Sequence, residues 1–325
     1  MQKIYIFIAL LCIAFPWKGN AQGSSQNVYP LLDIATNPST KALGGVVYGD
    51  IETNFGVANF APSELDSTYH KKIETNVGFL FQDTKHIVLN GGWAWDNNNI
   101  FALTFQTINY GDFERRDSEN TFLGNYSAVS YDFAISYSKK LSSKFNAGIS
   151  LHTLWSKFDI YNSNAIAFTA STSYNIKNFS ATLALRNVGT QFSSYNGNKE
   201  KLPLDLGVTL VKSLDHAPFI FYVTAHHLTQ WDKEIESDDK ETKNDYSNWF
   251  NHINLGTRLR LSTHFAAMIG YNNNVRESIG VTNKKGASGW SLGFQVDIKR
   301  LQFAYSYTPM HLNNSQHNIG LQVKL

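Results

Sequence analysis

Four groups of residues have types and spacings that could support chemistry. Ser136-Tyr137-Ser138-Lys139 has the Ser-x-x-Lys spacing of a penicillin-recognising serine enzyme. That chemistry needs the pair at a helix start, with Ser-Asp-Asn and Lys-Thr-Gly elements nearby, and neither companion occurs. The tetrad falls in an alternating stretch that reads as a strand. There i and i+3 point to opposite faces, so Lys139 cannot activate Ser136. His226-His227 offers two imidazoles, but strand neighbours also diverge and make a poor metal pair. Asp232, Glu234, Glu236, Asp238, Asp239 and Glu241 could attract calcium, yet they lack a fixed-spacing loop with its glycine and read as a solvated loop. Arg258, Arg260, Asp132, Asp205 and Asp297 occupy inward positions of alternating stretches, where mutual pairing is expected ahead of a selectivity filter. No His-Glu-x-x-His, cysteine cluster or Gly-x-Ser-x-Gly elbow is present. The chain is expected to be non-enzymatic, with no cofactor and no metal.

The elements that position these residues follow from composition and period. Hydrophobic residues make up 42% of the 325, aromatics 14% and charged residues only 17%, against about 25% charged in an ordinary soluble domain. Beyond the extreme N-terminus no run approaches the roughly 20 apolar residues of a spanning helix. Lys3, the apolar stretch Ile4 to Phe15 and the small residues Gly19-Asn20-Ala21 read as a signal peptide over 1–21. Its removal takes away the only cysteine, Cys12, and two of the 28 basic residues, leaving basic and acidic side chains balanced at 26 each. Nothing in that balance suggests a nucleic-acid partner.

From residue 72 to 325 the period is two. Trp290, Leu292, Phe294, Val296 and Ile298 alternate with Ser291, Gly293, Gln295 and Asp297, and similar stretches recur along the chain, among them Leu202, Leu204, Leu206, Val208 and Leu210. The inward positions are mainly Ser, Asn, Thr, Gln and Gly. Fourteen strands can be counted, the even-numbered connections tight and the odd-numbered ones including long polar loops at Gly111–Asn125, Asn187–Lys201, Trp231–Ser247 and Asn272–Ser288. A sandwich has no reason to sort its loops by parity. A transmembrane barrel does, with the short turns periplasmic and the long loops extracellular. Tyr110, Tyr126, Tyr161, Trp231, Trp249, Tyr271, Trp290 and Tyr307 lie near strand ends, where an interfacial girdle would sit. The expected fold is all-β: a 14-stranded antiparallel transmembrane β-barrel.

Residues 22–71 differ in texture. Asn37 can cap a short helix with Pro38 at its first position, and Gly44-Gly45 would stop it. A second turn is expected at Asn59 to Leu65, around Pro62. The segment is too polar to cross a bilayer and reads as a plug in the lumen.

A segment like Asn37 to Gly45, a turn around Pro62 and a barrel of fourteen strands together resemble the FadL-type outer-membrane proteins. Within that class the chain is most similar to the PorV/PorQ branch of the type IX secretion system of Bacteroidota. Asn318, Gly320, Val323 and Leu325 also resemble the terminal signal read by the barrel insertion machinery. The resemblance implies an outer-membrane protein in contact with lipid and lipopolysaccharide. It further implies that the barrel anchors a PorZ-like surface protein and, through it, PorU- and PorV-type components for cargo attachment. The alternative is FadL-like transport of hydrophobic small molecules. An anchoring role would place partner-binding residues in the long loops: Phe192, Tyr195, Trp231, Tyr246, Trp249 and Phe250.

Overall fold

The computed structural model describes residues 29–52, 54–195, 197–230, 249–279, 286–311 and 314–325. The signal segment 1–21, the acidic run 232–241, Trp231 and Tyr246 lie outside the described residues.

Fourteen strands among the described residues close into one antiparallel barrel, each bonded to its sequence neighbours and the first to the last. They are β1 (Lys72–Phe79), β2 (Lys85–Ala94), β3 (Asn99–Arg116), β4 (Phe122–Lys140), β5 (Phe145–Phe158), β6 (Tyr161–Ile176), β7 (Phe179–Ser193), β8 (Asp205–Ser213), β9 (Phe219–Ala225), β10 (Ile253–Arg260), β11 (Phe265–Asn272), β12 (Trp290–Ile298), β13 (Leu301–His311) and β14 (Asn314–Lys324). Closure pairs Asn76 of β1 with Gly320 of β14. The alternation sorts the faces: Ile87, Leu89 and Trp93 of β2 are exposed outward, while Val88 and Asn90 are buried inward. An apolar outer face and a polar inner face suit a wall between lipid and lumen.

The wall has two heights. β3 and β4 run 18 and 19 residues, well past the roughly 9–11 needed to cross a bilayer, whereas β8 to β12 run only 7 to 9. The long polar loop expected at Gly111–Asn125 is mostly strand, because pairing continues from Asp112–Ser127 out to Arg116–Phe122. The ladder survives there by inserting one residue into β3 between Asn109 and Asp112. Gly111 takes φ +88° at that bulge, a conformation that favours glycine, and Asn109 Oδ1 accepts its N–H at 2.8 Å. β7 likewise continues to Ser193, inside the loop expected from Asn187. The strand expected from Leu202 starts at Asp205 instead. Pro203 has no N–H for a ladder, and Leu202 turns inward and is buried. His226-His227 follows the end of β9 rather than lying on it; His227 has φ +55° and the two Nδ1 atoms are 2.6 Å apart.

Residues 29–71 fill the lumen. Asn37 Oδ1 accepts the Ser39 N–H at 2.7 Å and opens α1 (Pro38–Ala42), with Pro38 where no N–H is needed. Gly44 and Gly45 follow with φ +97° and +88°. Asn54 caps α2 (Phe55–Phe60), and a 3-10 turn over Pro62–Glu64 follows. Helix ends leave carbonyls unpaired, and inward asparagines of the wall supply donors. Asn254 Nδ2 donates to Leu43 O at 3.0 Å and Val46 O at 2.6 Å, and Asn272 Nδ2 donates to Gly44 O at 3.0 Å. Two inward glycines let backbone meet backbone. A Cβ on Gly148 would overlap Pro62 and Ser63, and one on Gly270 would overlap Leu43 and Gly44.

The packing generates a direct test. Gly270→Leu forces the α1 end off the wall at an overpacking cost of about 1–3 kcal/mol. In planar bilayers the wild-type protein is expected to be silent and the variant to conduct, with both migrating as folded barrels on unheated gels.

Candidate functional site

Bulges decide what the tall rim presents to the lumen. Along β3 the even positions Ala102, Thr104, Gln106 and Ile108 are buried inward, and Phe101, Leu103 and Phe105 are exposed outward. The extra residue beyond Asn109 inverts this order, so Phe113 pairs with Tyr126 on the inner face. Phe158 of β5 lies opposite the inward Ala128, and Tyr161 lies opposite Phe158. The rings touch: Phe113 and Tyr126 are stacked at 5.4 Å between centroids, and Tyr126 and Phe158 meet edge to face at 5.3 Å. The Arg115 guanidinium lies 6.0 Å from the Tyr126 ring and pairs with Asp159. Phe113, Phe158 and Tyr161 remain 37–50% exposed, so the rim carries an accessible aromatic wall on its lumenal side.

Below this wall lies an apolar floor. Tyr29, Leu31 and Leu32 of the plug pack with Ile108, Leu154, Ala165, Ala167 and Leu202, and Tyr110 packs against them from above. Hydroxyls at this level are paired: Tyr29 Oη lies 2.7 Å from Ser163 Oγ, and Tyr195 Oη donates to Ser156 Oγ at 2.5 Å. Beneath the floor is a cavity of about 10 Å³, room for one water, bordered by Leu31, Leu32, Phe60, His152 and Arg186. At this level the plug residues Leu31 and Leu32 pack directly against the wall.

The inward charges pair, largely with the plug. Asp205, fully buried, receives the Tyr48 hydroxyl, Arg186 Nη1 at 3.2 Å and the His227 N–H at 2.7 Å. Arg258, also buried, faces Asp50 at 3.7 Å and Glu52 at 3.8 Å, and Arg260 reaches Glu52 from the exposed rim. Asp132 pairs with His152, and Asp297 accepts hydrogen bonds from Gln295 and Gln302. Ser136 bonds Ser150 inside the wall while Lys139 is exposed outside, which separates the Ser-x-x-Lys pair. No group of three or more metal-ligating side chains converges among the described residues.

The partner-binding candidates are scattered. Phe192 is exposed on β7, where it is the extra residue of a bulge between Gln191, opposite Ala165, and Ser193, opposite Asn164. Tyr195 folds back onto Ser156, and Trp249 and Phe250 are exposed in a helical turn ahead of β10. Of the girdle residues, Tyr271 and Trp290 pack together at 5.1 Å on the outer face, and Tyr307 pairs with the outward Leu292. Tyr110, Tyr126 and Tyr161 instead face the lumenal side. Counting in twos from the inward Asp132 reaches Tyr126, so that placement was legible. Phe113 gave no such signal.

No family model and no curated protein matches the chain. In structure it is similar to the Pseudomonas putida toluene transporter TodX, with a TM-score of 0.53 and 10% identity over 89% of this chain and 97% of that one. A deltaS2S3 mutant of TodX, described as a monoaromatic hydrocarbon channel, aligns with a TM-score of 0.55 and 10% identity over 90% of this chain and all of that one. The fold is that of an outer-membrane β-barrel. At one shared residue in ten, the likeness speaks for architecture alone.

Glu64 belongs to the plug rather than to a strand. Burial pushes its carboxyl up from 4.5 to about 7, against bonds from Thr182 Oγ1 at 2.7 Å and the Asp50 N–H at 3.1 Å. The folded state therefore holds a proton that the unfolded chain has lost between pH 4.5 and 7, so its contribution is greatest at low pH and falls as pH rises through that window. Relative to wild type, Glu64→Gln is expected to gain up to ~2–3 kcal/mol in thermal stability from pH 4.5 to pH 8. Parallel melting curves across that range would contradict the assignment.

Proposed function

We propose that the protein is an outer-membrane channel for hydrophobic small molecules, with its tall rim facing the exterior. The observation that carries this reading is the aromatic wall of Phe113, Tyr126, Phe158 and Tyr161, which descends through Tyr110 to a buried apolar floor. The sequence suggests a polar inner surface throughout. At the rim that surface is aromatic, and an exposed aromatic wall over an apolar floor suits an apolar solute leaving water. TodX, whose fold is similar, is described as a toluene transporter and a monoaromatic hydrocarbon channel, and solutes of that class match the wall in chemistry. Passage past Leu31 and Leu32 requires the plug to shift, since both pack against wall residues.

A second reading, anchorage of a PorZ-like surface protein in the manner of PorQ, draws support from the close packing of the plug against the wall. A barrel locked to its plug serves as a support without conducting anything. Under that reading Phe192, Trp249 and Phe250 are the exposed aromatic contacts.

Liposome or whole-cell uptake of toluene separates the two. Wild-type protein is expected to raise the uptake rate, and Phe113→Ser/Phe158→Ser to lower it about five- to tenfold while the barrel remains folded. Uptake equal to that of protein-free membranes would favour anchorage.

A further inference from the structure

The channel reading leaves unexplained a buried acid–base pair that touches the cavity under the apolar floor. Asp132 is fully buried, and its Oδ2 accepts the Gln106 amide at 2.9 Å and lies 3.0 Å from His152 Nδ1. Gln106 is itself held by His86, whose Nε2 is 2.9 Å from the Gln106 carbonyl oxygen, so its NH₂ faces Asp132. No lysine or arginine ion-pairs with Asp132 among the described residues. A carboxylate beside Nδ1 keeps the proton on that nitrogen and leaves the Nε2 lone pair outward. Nε2 is buried without a hydrogen-bond partner, and so is Asp132 Oδ1. Unpaired buried acceptors are costly and call for a donor.

We propose that His152, oriented by Asp132, is a headgroup acceptor that selects apolar molecules carrying a neutral hydroxyl, such as phenols and alcohols; the inference rests on the channel reading. The cavity that His152 borders is also bordered by Leu31 and Leu32, which belong to the floor beneath the aromatic wall. A molecule that displaces the Leu31–Leu32 turn lays its apolar body against the floor residues and its hydroxyl toward Nε2. Arg186 borders the same cavity but does not favour a carboxylate. Its guanidinium is engaged by Asp205, by the Leu32 carbonyl and by the Phe60 ring at 4.1 Å. The Asp132 charge further opposes an anionic head. The geometry points to a donor that is neutral.

Calorimetric titration of the detergent-solubilised full chain with 4-propylphenol, propylbenzene and 4-propylbenzoate tests this. The wild-type protein is expected to bind the phenol about tenfold tighter than propylbenzene and the benzoate weakest. Asp132→Asn/His152→Leu removes acceptor and buried charge together. It is expected to bind phenol and propylbenzene alike, with propylbenzene affinity within about twofold of wild type and folded migration on unheated gels. Equal wild-type affinities for phenol and propylbenzene would mean the cavity holds only a water and would overturn the inference alone. A preference that survives the double substitution, or tightest binding of the benzoate, would overturn it too. Failure of all three compounds to bind would overturn the channel reading with it.

Discussion

A closed barrel with a polar inner face must satisfy that face from within, and everything else in this structure depends on how it does so. The wall turns asparagines, serines, threonines and several charges toward the axis, where an unpaired donor, acceptor or charge is expensive. Residues 29–71 supply the partners. Glu74 accepts from Asn37 and Asn90, Asn76 donates to Thr36 O, and Arg258 finds Asp50 and Glu52. The match is reciprocal, because the plug has short helices whose free carbonyls need the same asparagines. Neither part has a satisfied interior without the other.

Close approach follows from that demand. Polar pairing works only at hydrogen-bond distance, so backbone must reach backbone wherever the plug crosses the wall, and Gly148 and Gly270 stand at such crossings. A plug held this way resists swinging as a rigid lid. Ion pairs of Arg258 with Asp50 and Glu52, and of Arg260 with Glu52, fix it further, because withdrawing the plug breaks them.

Apolar clusters tie the plug to several parts of the wall, but the exposed aromatic rings on the lumenal face gather on its tall side. Bulges beyond Asn109 in β3, at Leu123 in β4, and near Asn187 and at Phe192 in β7 mark where that side departs from simple alternation. Bulges re-aim side chains, and here the first brings Phe113 over the plug beside Tyr126 and Phe158. The result is a molecule whose plug is held by polar pairs and apolar clusters through its middle, with exposed aromatic rings at one mouth. Between the two regions lie Leu31 and Leu32, which belong to the floor on one side and border the cavity on the other.

The architecture was legible in the chain because a lipid-facing wall imposes period two on every strand, and loops sorted by parity point to a barrel. Strand number, most strand starts and the inward direction of Asp132, Asp205 and Arg258 could all be read that way. So could the capping of the first lumenal helix at Asn37, a local hydrogen bond between near neighbours. What could not be read depends on breaks in the period. By alternation Phe113 belongs with Phe101, Leu103 and Phe105 on the lipid face; one inserted residue moves it to the lumen. Leu202 reads as the first residue of a strand, and Pro203 turns it inward into the floor. Asp132 and His152 lie 20 residues apart on neighbouring strands, and the cavity that His152 shares with Leu31 and Leu32 exists only once the plug is docked. Periodicity reports the medium around each residue, whereas these features report which distant residue stands opposite it, and only the closed barrel determines that.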